Sequence, residues 1–386
     1  MKLAFITSLL PTTKPDTGFE IANVAILDAL RAAGHAVTAF GFARPDDVLR
    51  PDPASVLFSR MTIENHAAGR GRKAAWVVAA LVSGLPVNCA KLWLEGRNKV
   101  VATVKAAGPF DAIILNSVTM AGAFPALRDI GPALLVEHNI EYLSAAQNAA
   151  QSRNPALRWL FGRESDKLRA LETSLAASCR FIWCLAEEDR QMLGAAAAHK
   201  SAVLPLVSTS AGQRLGETNQ PAHDIGLIGT WTWEPNLIGL KWFLAEVAPL
   251  LPKQLRVGVA GRIPDGLAAP PGVELLGRVP DATAFLADCS VTALVSRAGT
   301  GVQLKTIETL QLGLPAVATT LSMRGLSTVP ENIVIADDPA AFARHLVEHV
   351  AGTRTGKVRR LDGGHFMATQ MQTLLDAIDK GLSAVR

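Results

Sequence analysis

The feature that most constrains this chain is an alternation that runs through it twice. Short apolar runs bounded by turn residues are separated by longer stretches with helical periodicity. In the first half the runs are Leu3–Thr7, Ala36–Phe40, Ala112–Leu115, Ala133–Glu137 and Phe181–Cys184, with helical patterns such as Ile21–Ala32 and Asn154–Ala177 among them. Runs of about five residues, rich in Val, Ile and Leu and spaced by helices, predict parallel strands covered on both faces. The pattern then restarts. Strands are expected at Asp224–Gly229, Leu255–Ala260, Val273–Leu276, Val291–Val295, Ala316–Ala318 and Ile333–Ile335. Helices are expected at Asn236–Leu250, Ala282–Ala287, Val302–Leu312 and Pro339–Ala351.

Residues 208–223, between the two series, are polar and aperiodic, which marks a linker. A chain of 386 residues is long enough for two domains. The expected architecture is α/β: two Rossmann-like, doubly wound domains facing a central cleft. They cover 1–207 and 224–361, joined by the linker 208–223. A last helix over 362–386, with Met367, Met371, Leu374, Leu375 and Ile378 on one stripe, packs back across.

Composition narrows the class. With 49% hydrophobic and 19% charged residues the chain folds rather than staying disordered. Cys89, Cys179, Cys184 and Cys289 form no Cys-x-x-Cys pair and have no His cluster beside them, so buried free thiols are expected rather than zinc or disulfides. Met1–Leu10 is apolar, but Pro11-Thr-Thr-Lys-Pro15 follows instead of a small-residue cleavage site. It reads as a first strand, not a signal peptide. The net charge of +4 is too small to imply a nucleic-acid partner. The excess sits in residues 60–105, where Arg60, Arg70, Arg72, Lys73, Lys91, Arg97, Lys99 and Lys105 face only Glu64 and Glu95.

The strongest motif is Ser296-Arg-Ala-Gly-Thr-Gly-Val-Gln-Leu-Lys-Thr-Ile-Glu308, followed by Gly313-Leu-Pro315. A buried strand, a loop with glycines at 299 and 301, and a helix start present backbone N–H groups and the positive end of a helix dipole. Glycine lets a phosphate approach the main chain closely. Lys305 adds charge for a diphosphate, and Glu308, on the same helix face, can accept two hydrogen bonds from a ribose diol. The competing reading is a tight turn with a solvated Lys305–Glu308 pair.

This run resembles the donor-binding motif of GT-B glycosyltransferases, Gly-x-Gly-x-Arg-x-Lys-x-x-Glu-Ala-x-x-x-Gly-x-Pro-Val. Ile228-Gly-Thr-Trp-Thr-Trp-Glu-Pro-Asn236 is similar to the loop after the first strand of that family's second domain, Val259-Ala-Gly-Arg262 to the next strand and its basic loop, and Leu276-Gly-Arg-Val-Pro-Asp281 to the turn that receives the base. Phe5–Pro11, Thr17-Gly18 and Ala29–Val37 resemble the opening of the first domain. Val136-Glu-His-Asn-Ile-Glu-Tyr142 resembles a segment of bacterial polysaccharide glycosyltransferases. The resemblance implies donor contacts at Gly18, Gly229, Thr230, Trp231, Arg262, Val279, Gly299, Thr300, Gly301, Gln303, Lys305 and Glu308. Two positions depart from the pattern: Thr300 stands where many retaining members carry a glutamate, and Gln303 where an arginine is common.

For the transfer step, Glu137, His138 and Glu141 follow a predicted strand end, and Asp16 sits in the first loop. His138 is expected to contact the donor sugar or the acceptor. Glu141 and Asp16 are the other catalytic candidates. No Asp-x-Asp occurs, so no metal or other cofactor is implied; the nucleotide sugar is a substrate.

Arg70, Arg72, Lys73 and Trp76 precede an apolar stretch too short to span a bilayer, and a second basic, Trp-containing segment covers Arg153–Arg169. Basic residues beside Trp and aliphatics suit peripheral contact with anionic lipid. The expected function is metal-independent transfer of a sugar, with UDP as the expected carrier. The acceptor is lipid-linked or a polysaccharide, at the inner face of the cytoplasmic membrane. The alternatives are a nucleotide-sugar epimerase of the same fold and a non-catalytic scaffold.

Overall fold

A computed structural model describes residues 1–15, 17–64, 67–208, 221–326 and 328–386. The chain divides into two compact units, Met1–Pro205 with Gln372–Arg386, and Leu206–Met371. The last helix, Gly363–Ser383, is therefore shared: its first half belongs to the second unit and its second half to the first. Most of the expected linker, residues 209–220, lies outside the described residues.

The first unit holds one parallel sheet. Its strands are β1 (Lys2–Thr7), β2 (Ala36–Ala43), β3 (Ser55–Arg60), β4 (Ala112–Asn116), β5 (Ala133–Glu137), β6 (Phe181–Cys184) and β7 (Ser201–Val203), in the order β3-β2-β1-β4-β5-β6-β7. Central strands β4, β5 and β6 are buried along their whole length, which explains their unbroken apolar sequences. The two strands not expected from sequence, β3 and β7, are the edges. β3 is half-exposed and β7 has three residues, so neither shows a continuous apolar run.

The direction of winding reverses between β1 and β4, where Thr7 and Asn116 are register partners. Ligands of such sheets sit at the carboxyl ends of the strands beside this reversal. Helix Gly18–Ala32 begins just beyond β1. The Thr17 hydroxyl caps it, accepting from the Glu20 N–H and donating to Glu20 Oε2 at 2.8 Å. Trp183 of β6 is fully buried and donates its indole N–H to the Ala377 carbonyl at 2.7 Å, which fastens the end of the last helix to this unit.

The second unit repeats the plan with six parallel strands: β8 (His223–Thr230), β9 (Val257–Arg262), β10 (Val273–Gly277), β11 (Cys289–Leu294), β12 (Ala316–Ala318) and β13 (Ile333–Ile335). Their order is β10-β9-β8-β11-β12-β13, so the reversal lies between β8 and β11. The helix expected over Asn236–Leu250 is α-helical at Glu234–Trp242, then passes through a π turn at Phe243–Val247 and a 3-10 turn at Ala248–Leu250. Its Gly239 lies against the end of β11. A Cβ there would fall 1.8 Å from the Val295 carbonyl oxygen, so only glycine permits this approach.

The four cysteines are buried and free. Among the described residues no single helix is long and apolar enough to cross a membrane. The bent pair Arg70–Ser83 and Val87–Arg97 meets that criterion only jointly.

Candidate functional site

The phosphate-type motif lies at the winding reversal of the second unit. Residues 295–303 leave β11, and helix Leu304–Gln311 follows, two residues later than expected because Gln303, the cap, is extended. Buried hydroxyls hold the loop. The Ser296 N–H donates to Ser322 Oγ at 2.9 Å, Thr319 Oγ1 donates to the Ser296 carbonyl at 2.6 Å, and Thr306 Oγ1 donates to the Ser322 carbonyl at 2.8 Å. Gly299 has φ +104°, a conformation other residues rarely adopt. A side chain at Gly301 would meet nothing within 4 Å, so the loop presents main chain to open space there. Gln303 caps the helix without a side-chain bond to its first N–H groups.

Lys305 and Glu308 stand half-buried on this helix. Lys305 Nζ lies 5.4 Å over the Trp231 ring and 3.4 Å from Asn236 Oδ1, with no carboxylate partner among the described residues. Removal from water lowers its pKa to about 8. The Glu308 carboxylate makes no hydrogen bond or ion pair among the described residues, and the same cause raises its pKa to about 7. Each charge has lost hydration without gaining an opposite charge among the described residues. Desolvated charges without an ionic partner are costly to hold in a folded protein.

Three side chains expected to contact the donor are buried in the fold. Thr300 and Gln303 are buried, and Gln303 Nε2 donates back to the Gly301 carbonyl at 3.2 Å, bracing the loop. Trp231 is also buried. Its indole N–H donates to the Ala260 carbonyl at 2.7 Å, so it forms the floor under Lys305. Two residues of the same loop do what sequence reasoning did not assign them. Trp233 is the exposed tryptophan, and Asn236 donates to the Thr230 carbonyl at 3.2 Å while presenting its oxygen to Lys305. Thr230 and Arg262 are exposed register partners at the ends of β8 and β9, one residue beyond the pair Gly229 and Gly261. Val279 lies in the loop after β10, half-buried, before the helix capped by Asp281. Arg297 is committed elsewhere: it pairs with Asp337 and lies 4.8 Å over Trp242.

The second candidate constellation occupies the reversal of the first unit. His138, just beyond β5, has its Nε2 3.0 Å from Asn116 Oδ1 and its ring 4.6 Å from that of Phe19. Burial lowers its pKa to about 4. Gly18, beside Phe19, opens the helix after β1, and a side chain there would meet nothing within 4 Å. Asp16 lies outside the described residues. Glu141 starts helix Glu141–Gln151, and burial raises its pKa to about 7 against a hydrogen bond from Asn139. Glu137 goes a different way. It is buried, its Oε1 has no hydrogen-bond partner among the described residues, and burial together with Glu172, Asp189 and Glu141 raises its pKa well above the usual range. Among the described residues no group of three or more His, Cys, Asp or Glu is placed to hold a metal ion.

The expected lipid contacts are redistributed. Arg70, Arg72 and Lys73 are exposed at the start of helix Arg70–Ser83. Trp76 is not: it is 4% exposed, with Lys91 Nζ 4.5 Å over its ring, because its indole packs into the fold. The exposed large apolar residues of that helix are Val78, Leu81 and Val82, and those of helix Pro155–Ser178 are Leu157 and Trp159. Arg163 joins the two helices, donating to the Ala80 carbonyl at 2.7 Å and the Leu85 carbonyl at 3.3 Å. The two segments singled out in the sequence thus meet at Ala80 and Leu85.

Residues 222–351 match the family described as Glycosyl transferases group 1. No curated protein matches the chain by sequence. Among solved structures, sucrose-phosphate synthase from Thermosynechococcus elongatus has a TM-score of 0.65 at 15% identity, covering 99% of this chain and 96% of that one. HepE from Anabaena in complex with UDP and glucose has a TM-score of 0.61 at 16% identity, covering 100% of both chains. The catalytic domain of starch synthase IV from Arabidopsis thaliana, bound to ADP and acarbose, has a TM-score of 0.54 at 10% identity, covering 98% of this chain and 99% of that one. At these identities the likeness is one of fold: two Rossmann-like units of the GT-B type.

Proposed function

From a chain that carries a group 1 glycosyltransferase domain on a GT-B fold, we propose an enzyme that moves a sugar from a nucleotide diphosphate to a lipid-linked or polysaccharide acceptor. The observation that carries this reading is the desolvated state of Lys305 and Glu308, neither with an oppositely charged partner among the described residues, beside an open glycine loop. The diphosphate lies against the Gly299–Gly301 main chain and the start of the following helix, where the positive end of the helix dipole and Lys305 balance its charge. Glu308 accepts the ribose hydroxyls. Thr230 and Arg262 border the phosphates, and the Val279 loop meets the base. UDP is the proposed carrier; HepE, of the same fold, is seen with UDP and with UDP-glucose.

The first unit supplies sugar and acceptor contacts from Gly18, His138 and Glu141. Asp16 is retained as a candidate from sequence alone. In this reading no resident metal or cofactor takes part: cationic side chains and backbone N–H groups stabilise the leaving diphosphate.

The acceptor reading is supported by the surface of Arg70, Arg72, Lys73, Val78, Val82 and Trp159. It pairs exposed aliphatics and an exposed indole with cations, as a peripheral contact with anionic lipid requires. Such an enzyme works at the inner face of the cytoplasmic membrane. Incubation with UDP-glucose, with and without extracted envelope lipid, tests the proposal. UDP release that depends on the lipid supports transfer. Conversion of the sugar to an epimer without lipid supports the epimerase reading instead.

A further inference from the structure

The amides of Asn23 and Asn116 form a chain with only one allowed direction. Asn23 lies on helix Gly18–Ala32 and Asn116 ends β4, and both are fully buried. One terminal atom of Asn23 lies 3.1 Å from the Leu9 carbonyl oxygen. A carbonyl can only accept, so that atom is Nδ2. The other atom of Asn23 is then Oδ1, and the Asn116 atom that meets it must be Nδ2, the donor. Thr7 Oγ1, the third member, accepts from Asn23 Nδ2 at 3.0 Å and from Asn116 Nδ2 at 3.3 Å. Asn116 therefore turns its oxygen towards His138, 3.0 Å from Nε2. A neutral imidazole has one donor and one acceptor nitrogen, so Nε2 carries the proton.

We infer that Asn23 and Asn116 are positioning residues that hold His138 as its Nε2–H tautomer and keep Nδ1 as a bare acceptor for a sugar hydroxyl. The inference rests on the reading of His138 as a contact in sugar transfer. Two observations accompany the geometry. Nδ1 has no partner among the described residues, and no charged group among them acts on the ring, whose titration is depressed by burial alone. Phe19 packs against the imidazole and restricts its rotation. The direction of the chain originates at a main-chain carbonyl, which cannot flip. Neither asparagine matched a motif in the sequence, because residues 23, 116 and 138 meet only through the winding reversal between β1 and β4.

The test is a two-bond proton–nitrogen correlation spectrum of the full chain labelled with nitrogen-15 histidine. Of the eight histidines, His138 is assigned by the signal lost in His138→Gln. The expected spectrum shows one neutral tautomer protonated at Nε2. Protonation at Nδ1, or an even mixture, in the unsubstituted protein overturns the inference, and this holds whether or not Asn23→Ala folds. Asn23→Ala does not touch the imidazole, but it frees Asn116 to turn over, so a mixture of tautomers is expected. A single Nε2–H form in Asn23→Ala shows that Asn23 is merely structural and overturns its role. With UDP-glucose and lipid acceptor, Asn23→Ala lowers kcat roughly 10-fold or more, the kind of loss a misplaced tautomer produces, with KM for UDP-glucose unchanged. A tautomer shift in Asn23→Ala without any change in kcat overturns the hydroxyl contact while leaving the amide chain intact. That outcome separates a failure of the transfer reading from a failure of the chain.

Discussion

Lys305 and Glu308 lie three residues apart on one helix and do not pair with each other. A solvated i,i+3 ion pair would leave both groups close to their ordinary titration; instead burial lowers the lysine to about 8 and raises the glutamate to about 7. The separation makes sense if each serves a different part of one ligand, the lysine a diphosphate and the glutamate a ribose.

This arrangement predicts a bell-shaped pH dependence for nucleotide binding. Glu308 accepts hydroxyl donors well only when ionised, so affinity falls as pH drops below about 7. Lys305 offers charge only when protonated, so affinity falls as pH rises above about 8. Binding above pH 8 should take up a proton, because the diphosphate restores the ammonium charge. Titrations of UDP in buffers of different ionisation enthalpy measure that uptake. A flat profile from pH 6 to pH 9 contradicts the assignment.

The glycines separate packing from binding. Gly239→Ala places a methyl group 1.8 Å from the Val295 carbonyl, and the second unit should lose several kcal/mol or fail to fold. Gly301→Ala meets open space and should melt at the temperature of the unsubstituted protein, while UDP binding weakens because the phosphate loses its close approach. Thermal melts paired with UDP titrations check both.

How much of this was legible in the sequence differs by element. Central strands such as β4 and β5 were readable because burial on both faces leaves an unbroken apolar run. Edge strand β3 was not, since half-exposure dilutes the pattern. That Lys305 and Glu308 share one helix was readable, because their spacing is fixed and the glycine loop marks the helix start. Trp231 and Trp76 misled: a tryptophan inside a motif or beside a basic run looks like a contact, and only packing tells floor from surface. Asn23 and Asn116 were invisible, since 93 residues of chain separate them and only sheet topology joins them.

The buried carboxylates of the first unit predict an unusual stability profile. Burial and its acidic neighbours raise Glu172 to about 8, and Glu137 moves in the same direction. Between about pH 4.5 and pH 8 the folded protein therefore binds more protons than the unfolded chain, so stability falls as pH rises through that window. Glu172→Gln keeps an oxygen to accept the Glu141 and Tyr142 N–H groups and should flatten part of the slope. Melting temperatures from pH 5 to pH 9 decide it; a rise across that range contradicts the assignment.

The surface of helices Arg70–Ser83 and Pro155–Ser178 predicts opposite outcomes for two tryptophans. Trp159→Ser combined with Val82→Ser should leave stability almost unchanged and reduce sedimentation with phosphatidylglycerol vesicles at low salt. Trp76→Ala should destabilise the first unit by about 3–5 kcal/mol, as truncation of a buried aromatic does. Equal vesicle binding by the double variant and the unsubstituted protein removes the lipid-contact reading.

The most direct test of the central claim is calorimetric titration of the full chain with UDP, ADP and GDP. The account predicts that UDP binds selectively, and that Glu308→Ala weakens it by about 1–3 kcal/mol through loss of two charge-assisted hydrogen bonds. No binding of any nucleoside diphosphate, or UDP affinity unchanged in Glu308→Ala, would contradict it.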